Sequence, residues 1–145
     1  MKKQFYLYFD DGMPKGTAQQ KGEAIRYKNG RPYIQHYKKD NVSAARDLFT
    51  LKLKPNAPKV PTDKPVRLYV WFVFDNKNKK LWGQYKTTRP DCDNYVKELK
   101  DAMTSCGFWL DDAQVCDLRV VKTYGEKASI VVSVEDLEPL KAVKT

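Results

Sequence analysis

Histidine is nearly missing from this chain, and cysteine is scarce. His36 stands alone, and Cys92, Cys106 and Cys116 are odd in number with no close pair spacing. Both counts argue against a structural zinc site and against a disulfide framework. Unpaired thiols suit a reducing cytoplasm. Long apolar runs are missing too: the stretch from Phe5 to Phe9 stops at Asp10 and Asp11, too short for a signal peptide or a membrane span. No helix-length segment joins a basic face to a strong apolar one, so a membrane partner is not expected. Gly12 and Gly16 precede Thr17 without the Gly-Lys-Ser/Thr core of a phosphate-binding loop, which argues against a nucleotide cofactor. Internal repeats and low-complexity tracts are absent.

What is abundant is positive charge. Lys and Arg number 27 against 18 Asp and Glu, a formal charge of +9 that favours a polyanionic partner, with nucleic acid first among candidates. At 145 residues, 41% hydrophobic, the chain suits one folded domain spanning 1–145.

Gln4 to Phe9 reads as a first strand closed by a turn at Asp10, Asp11 and Gly12. Residues 12–39 read as a long basic loop or irregular hairpin, with Lys15, Lys21, Arg26, Lys28 and Arg31 as DNA contacts and Tyr27, Tyr33 and Tyr37 among them. Asp40 and Asn41 are placed to cap a helix whose apolar positions are Val42, Ala45, Leu48, Phe49 and Leu53, with Pro55 as its stop. Val66 to Asp75 alternates strongly enough to be a central strand, and its Tyr69, Trp71 and Phe72 read as core. A second basic loop covers 75–90, offering Lys77, Lys79, Lys80, Lys86 and Arg89 to DNA. A helix follows from about Asp91 to Cys106, its buried stripe Val96, Leu99, Ala102, Met103 and Cys106, with Gly107 as terminator. Val115–Lys122 and Ala128–Val134 read as strands joined by a hairpin at Tyr124, Gly125 and Glu126, and 135–145 as a frayed tail. The fold expected is a compact α/β domain, a mixed sheet of about four strands with two flanking helices.

Two acidic positions carry the chemistry. Asp91 and Asp93 flank Cys92 where the second basic loop turns into a helix. Extended backbone points both carboxylates to one side and helical backbone splays them; the extended form is favoured here. Helix capping is the competing explanation of such a pair. Asp111 and Asp112 follow Phe108, Trp109 and Leu110, apolar anchors able to hold a turn still. Mg²⁺, with Mn²⁺ as its substitute, takes a few carboxylates plus water and phosphate, so Asp91, Asp93 and Asp112 converging would form a metal site facing phosphate. Lys97 lies one helical turn beyond Asp93, suited either to a developing phosphate charge or to a plain ion pair with Asp93.

The run from Asp91, Cys92, Asp93, Asn94, Tyr95, Val96 and Lys97, through Gly107, Phe108, Trp109, Leu110, Asp111, Asp112, Ala113, Gln114 and Val115, to Asp117, Arg119, Val120, Val121 and Lys122 closely resembles the RusA family of Holliday-junction resolvases. Upstream the likeness thins to a pattern that includes Pro14, Lys15, Gly16, Gln20, Lys21, Arg31 and Tyr33. The resemblance implies a small dimeric α/β endonuclease of phage or prophage origin. It implies Mg²⁺-dependent, symmetric nicking of four-way or branched DNA in recombination and repair, working in the bacterial cytoplasm. By position its essential acids fall on Asp91, Asp93 and Asp112, its lysine on Lys97, and Asp111 stands beside them as an assisting ligand. The alternative is a module that binds branched or single-stranded DNA without cutting it, since basic loops with interleaved aromatics suit phosphate contact and base stacking by themselves.

Overall fold

The structure is a computed structural model that describes residues 1–15, 21–38 and 40–142, with the side chains of 21–24, 35–38 and 40–43 outside the description. Eight regular elements follow one another: β1 (Lys2–Tyr8), β2 (Lys21–Lys28), β3 (Arg31–Lys38), α1 (Asp40–Leu53), β4 (Val66–Asp75), α2 (Cys92–Ser105), β5 (Val115–Gly125) and β6 (Ser129–Asp136). Four of the strands form a mixed sheet in the order β1-β6-β4-β5, in which only β4 and β5 run parallel. No helix is long and apolar enough among the described residues to cross a membrane.

Strand β4 is central, as its apolar alternation requires. Val66, Leu68, Val70, Phe72 and Phe74 all point into the core, where they meet Leu99, Ala102 and Met103 of α2 and Phe49 and Leu53 of α1. Burying a side chain of that size is worth about 1.5–3 kcal/mol, so this one face fixes the strand's register. Among the described residues no helix covers the opposite face. Phe72 is core, but Tyr69 and Trp71 are not: Trp71 is 48% exposed, its indole N–H donating to Thr123 Oγ1 at 2.8 Å. Alternation places them there, because helices cover one side of the sheet only.

Of the two forms expected for residues 12–39, a loop or an irregular hairpin, the described part beyond Lys21 takes the second and is more regular than expected. Beyond Lys21 the segment is a regular antiparallel ribbon, β2 against β3, turning at Asn29 and Gly30, both with positive φ. An Asn-Gly pair is the standard two-residue hairpin signal, since both positions tolerate that backbone. The caps expected from Asp40 and Asn41 lie outside the described residues; α1 ends at Leu53, and Pro55 sits in the short 3-10 helix Lys54–Asn56 that follows.

The expected hairpin between the last two strands does not form. Among the strands described β5 pairs with β4 and not with β6, and the chain then crosses the end of β4 so that β6 inserts between β4 and β1. Gly125 permits the crossing: a Cβ there would meet Val73 Cγ1 at 2.5 Å. β6 gains by the move, because Ile130, Val132 and Val134 reach the centre of the core. The second basic loop is also more ordered than expected. Residues 83–86 run antiparallel along the end of β5, with Tyr124 N–H donating to Gln84 O at 3.0 Å and Lys86 N–H to Lys122 O at 3.0 Å. The start of the tail is tied rather than frayed: the Met1 ammonium lies 2.5 Å from Asp136 Oδ2, and Leu137 N–H donates to Pro65 O at 2.8 Å.

Candidate active site

The β4–α2–β5 crossover positions the acids. Asp91 is the N-cap of α2, with extended backbone at φ −69 and ψ 145, and Asp93 already lies in the first helical turn. The extended geometry therefore stops at Asp91. The Asp91 carboxylate accepts no capping hydrogen bond, so capping does not account for it, whereas Asp93 in the first turn suits the positive end of the helix dipole. Lys122 of β5 steadies this end of the helix, its Nζ donating to Thr88 O and Pro90 O, each at 2.7 Å. Tyr95 hydroxyl donates to Pro14 O. Its ring is buried edge-on against Phe49 and Phe72, and burial pushes the phenol well above its ordinary pKa.

Asp112 sits at the other end of the crossover. After Gly107, at φ 83, the buried Phe108 and Trp109 anchor the chain, and Trp109 Nε1 donates to Thr104 Oγ1 at 2.7 Å. A 3-10 helix, Asp112–Gln114, then leads into β5. Asp111 caps it, accepting from Ala113 N–H at 2.9 Å, while the Gln114 side chain accepts from Leu110 and Asp111 N–H and donates to Thr62 O and Lys64 O. Asp111 thus has a structural task, and Asp112 has no side-chain partner among the described residues.

The carboxylates of Asp91, Asp93 and Asp112 make no hydrogen bond or ion pair among the described residues. They do not meet in one chain. The 14-residue α2 separates them, which at 1.5 Å per residue is about 20 Å. Accordingly, no group of three His, Cys, Asp or Glu side chains among the described residues could hold a metal ion. Hard oxygen donors without partners suit Mg²⁺, but one copy does not gather three of them.

Lys97 is exposed on α2 and pairs at 3.8 Å with Asp101, one turn further on, rather than with Asp93. Asp101 also takes Arg46 Nη2 at 2.9 Å, and Arg46 Nε donates to Glu98 at 2.6 Å. Glu98 is fully buried. This network is not legible in sequence, because Glu98 looks like a surface position of an amphipathic helix and its partner lies on α1.

The basic residues fall on two projections. Lys28 and Arg31 flank the tip of the β2–β3 ribbon beside the exposed Tyr27 and Tyr33, with Arg26 further down; the side chains of Lys21 and Tyr37 lie outside the described residues. Lys15 is exposed close to Pro14, which Tyr95 holds. In the second loop Lys77, Lys79, Lys80 and Arg89 are exposed. Lys86 is not free in the same way, since it donates to Thr88 Oγ1 at 2.6 Å and covers the Phe74 and Tyr124 rings.

The sequence profile described as Endodeoxyribonuclease RusA matches residues 11–135. The chain belongs to the RusA family. It is 36% identical over 129 residues to the crossover junction endodeoxyribonuclease rusA of Lactococcus phage r1t, covering 88% of this chain and 93% of that protein. The crossover junction endodeoxyribonuclease RusA of Escherichia coli shares 65% identity over a shorter stretch of 34 residues, 23% of this chain and 28% of that protein. A Bacillus subtilis protein, Uncharacterized protein YqaN, is 45% identical over 69 residues, 45% of this chain and 48% of its own length. Membership places this RusA-family chain among DNA-cleaving enzymes rather than passive binders. Two positioning residues of the site escape sequence reasoning. Lys122 stands inside the family-like run without an expected role, and Tyr95 falls outside the expected buried stripe. An i, i+4 spacing of Tyr95 with Leu99 is the available signal for the second.

Proposed function

We propose that this protein resolves four-way and related branched DNA junctions by paired, symmetric nicks, as a homodimer that uses Mg²⁺ at sites shared between its two copies. The observation that carries the reading is the arrangement of the acids: three carboxylates without a partner among the described residues, two at one end of α2 and one at the other. A dyad that sets the start of α2 from one copy against the 3-10 turn of the other brings Asp91 and Asp93 to Asp112 twice over. A divalent cation bound there supplies polarisation of the phosphodiester and activation of water. Asp91 and Asp93 provide ligands on a rigid helix end, Lys122 fixes the loop that leads into them, and Lys97 offers an ammonium one turn from Asp93. The ribbon tip and the second loop contact phosphates on either side. A junction has approximate two-fold symmetry and needs two cuts, which suits two equivalent sites. The phage-type relative supports action in a bacterial cytoplasm.

The test is incubation with a synthetic four-way junction and a matched linear duplex, with and without Mg²⁺. Symmetric nicks in the junction alone, dependent on the cation, are expected. Equal cutting of both substrates would contradict the reading, as would junction binding without any cut.

A further inference from the structure

The β2–β3 ribbon has two exposed faces of different chemistry. It forms a sheet by itself, and every described side chain from Ile25 to Ile34 is exposed. A lone two-stranded ribbon is marginally stable in water, so its surface calls for a partner. The register sorts the residues. Ile25 pairs with Ile34 and Tyr27 with Pro32, which sets these four on one face; Arg26 pairs with Tyr33 and Lys28 with Arg31, which sets those on the other. Ile25 is 67%, Tyr27 71% and Ile34 59% exposed, and an apolar patch held open to water marks an interaction site.

Edge and charge narrow the choice of partner. Lys28 and Arg31 close the turn at Asn29 and Gly30, so Tyr27 and Pro32, the next pair, turn their backbone groups away from the ribbon. Pro32 has no N–H to offer there, which blunts that edge against an added strand. A partner therefore meets the faces. Residues 21–38 hold five Lys or Arg, with Glu23 as the one acid, and such a segment selects a polyanion. Its described cations project from the face opposite the isoleucines, so the partner lies on both sides of the ribbon. A flat anionic surface touches one side at a time. The centre of a four-way junction has arms on both sides, with phosphates along each arm and an open base face where each arm ends.

We propose that the ribbon enters the branch point, laying Ile25, Tyr27 and Ile34 against the open base faces while Lys28 and Arg31 meet phosphates of the facing arm. The inference rests on the branched-DNA reading above and names the part of the substrate that sets a junction apart from linear duplex. Apolar side chains stand in for a stacking neighbour where bases are unstacked, and aromatic stacking on bases is tolerant of sequence. Inside a duplex both faces of every base pair are already stacked. The apolar face adds nothing there, and duplex binding rests on phosphates.

The experiment compares wild type with the triple variant Ile25→Ser, Tyr27→Ser, Ile34→Ser in EDTA, so that binding is read without cutting. The DNAs are a four-way junction and a linear duplex, all ends closed by hairpins. The variant is expected to lose about 10-fold or more in junction affinity, to hold duplex affinity within about 2-fold, and to keep its salt dependence, since no phosphate contact is removed. The conservative set Ile25→Leu, Tyr27→Phe, Ile34→Leu is expected to bind the junction as wild type does. With the wild-type chain, 5-bromouracil at the branch is expected to cross-link to residues 25–34 under ultraviolet light, and 5-bromouracil well along an arm is not. Junction preference kept by the serine variant, or branch cross-links only elsewhere in the chain, would overturn the ribbon's role and leave the branched-DNA reading standing. Equal binding of both DNAs by wild type would overturn that reading and the inference with it. Conversion from dimer to monomer by the serine changes, or ribbon-dependent binding of phosphatidylserine vesicles in place of the junction, would overturn the proposal by giving the apolar face to a second copy or to a membrane.

Discussion

Glu98 and Lys97 are neighbours in sequence and opposites in burden. Glu98 is wholly buried and lies 2.6 Å from the Arg46 guanidinium, whereas the Lys97 pair with Asp101 is long and exposed. Removing one partner of a buried pair leaves a charge in the core at a cost of about 3–5 kcal/mol. Arg46→Leu is therefore expected to lower the unfolding free energy, read from a urea titration, by an amount in that range, and a loss below about 1 kcal/mol would mean that water reaches Glu98. Lys97→Ala loses less than about 1 kcal/mol of stability, since exposed pairs are weak. Its expected effect is on turnover, down about 100-fold or more with unchanged melting, if its ammonium faces the phosphate. Near-normal nicking would assign Lys97 to Asp101 alone. Tyr95 gives a pH signature. Burial raises its pKa in the folded state, so the stability it contributes is complete below the unfolded value of about 10 and is lost as pH rises above it. Tyr124 works in the other direction, its pKa lowered by the Thr88 hydroxyl and then by Lys86 and Lys122. Comparing Tyr95→Phe with wild type cancels that effect. The difference in unfolding free energy between them should be constant to about pH 10 and then shrink by up to ~1.4 kcal/mol per pH unit. A difference flat through that range would mean that the phenol ionises freely.

At the scale of elements, sequence periodicity is a good guide to which segments are strands and helices and a poor one to which of them pair. Val66–Asp75 and the α2 stripe are legible because each buries a regular face. The neighbours of β5 are not, because alternation describes a strand's faces and says nothing about its edges. Tyr124 to Glu126 reads as a hairpin for that reason, although Gly125 serves a crossing over Val73. The ribbon β2–β3 is obscured by its polar, exposed composition, with only Asn29-Gly30 marking the turn. Its tip and the 75–90 loop stand as two basic projections. Replacing Lys77, Lys79 and Lys80 with Ala should reduce the slope of log affinity against log salt by about 2–3, at about 0.9 for each phosphate no longer neutralised. Filter binding across a salt series measures it, and an unchanged slope would assign the DNA-binding surface to the ribbon and Arg89 instead.

For the whole molecule, the candidate site is legible as a set of residue types and not as a place. Asp91, Asp93 and Asp112 are near one another in the chain, and the helix between them carries the last away from the first two. No linear pattern reveals that separation, and it is what makes a second copy part of the account. Sharing has a consequence that a self-contained site lacks. A dimer with one Asp93→Asn chain and one Asp112→Asn chain has one site doubly damaged and the other intact, since the intact Asp93 of one chain meets the intact Asp112 of the other. The decisive measurement is therefore nicking of a four-way junction by each variant alone and by the two mixed and allowed to exchange. The account predicts that neither variant cuts alone and that the mixture nicks one strand per junction with Mg²⁺ present. A mixture as inactive as its components, with mixed dimers shown to form, would contradict it.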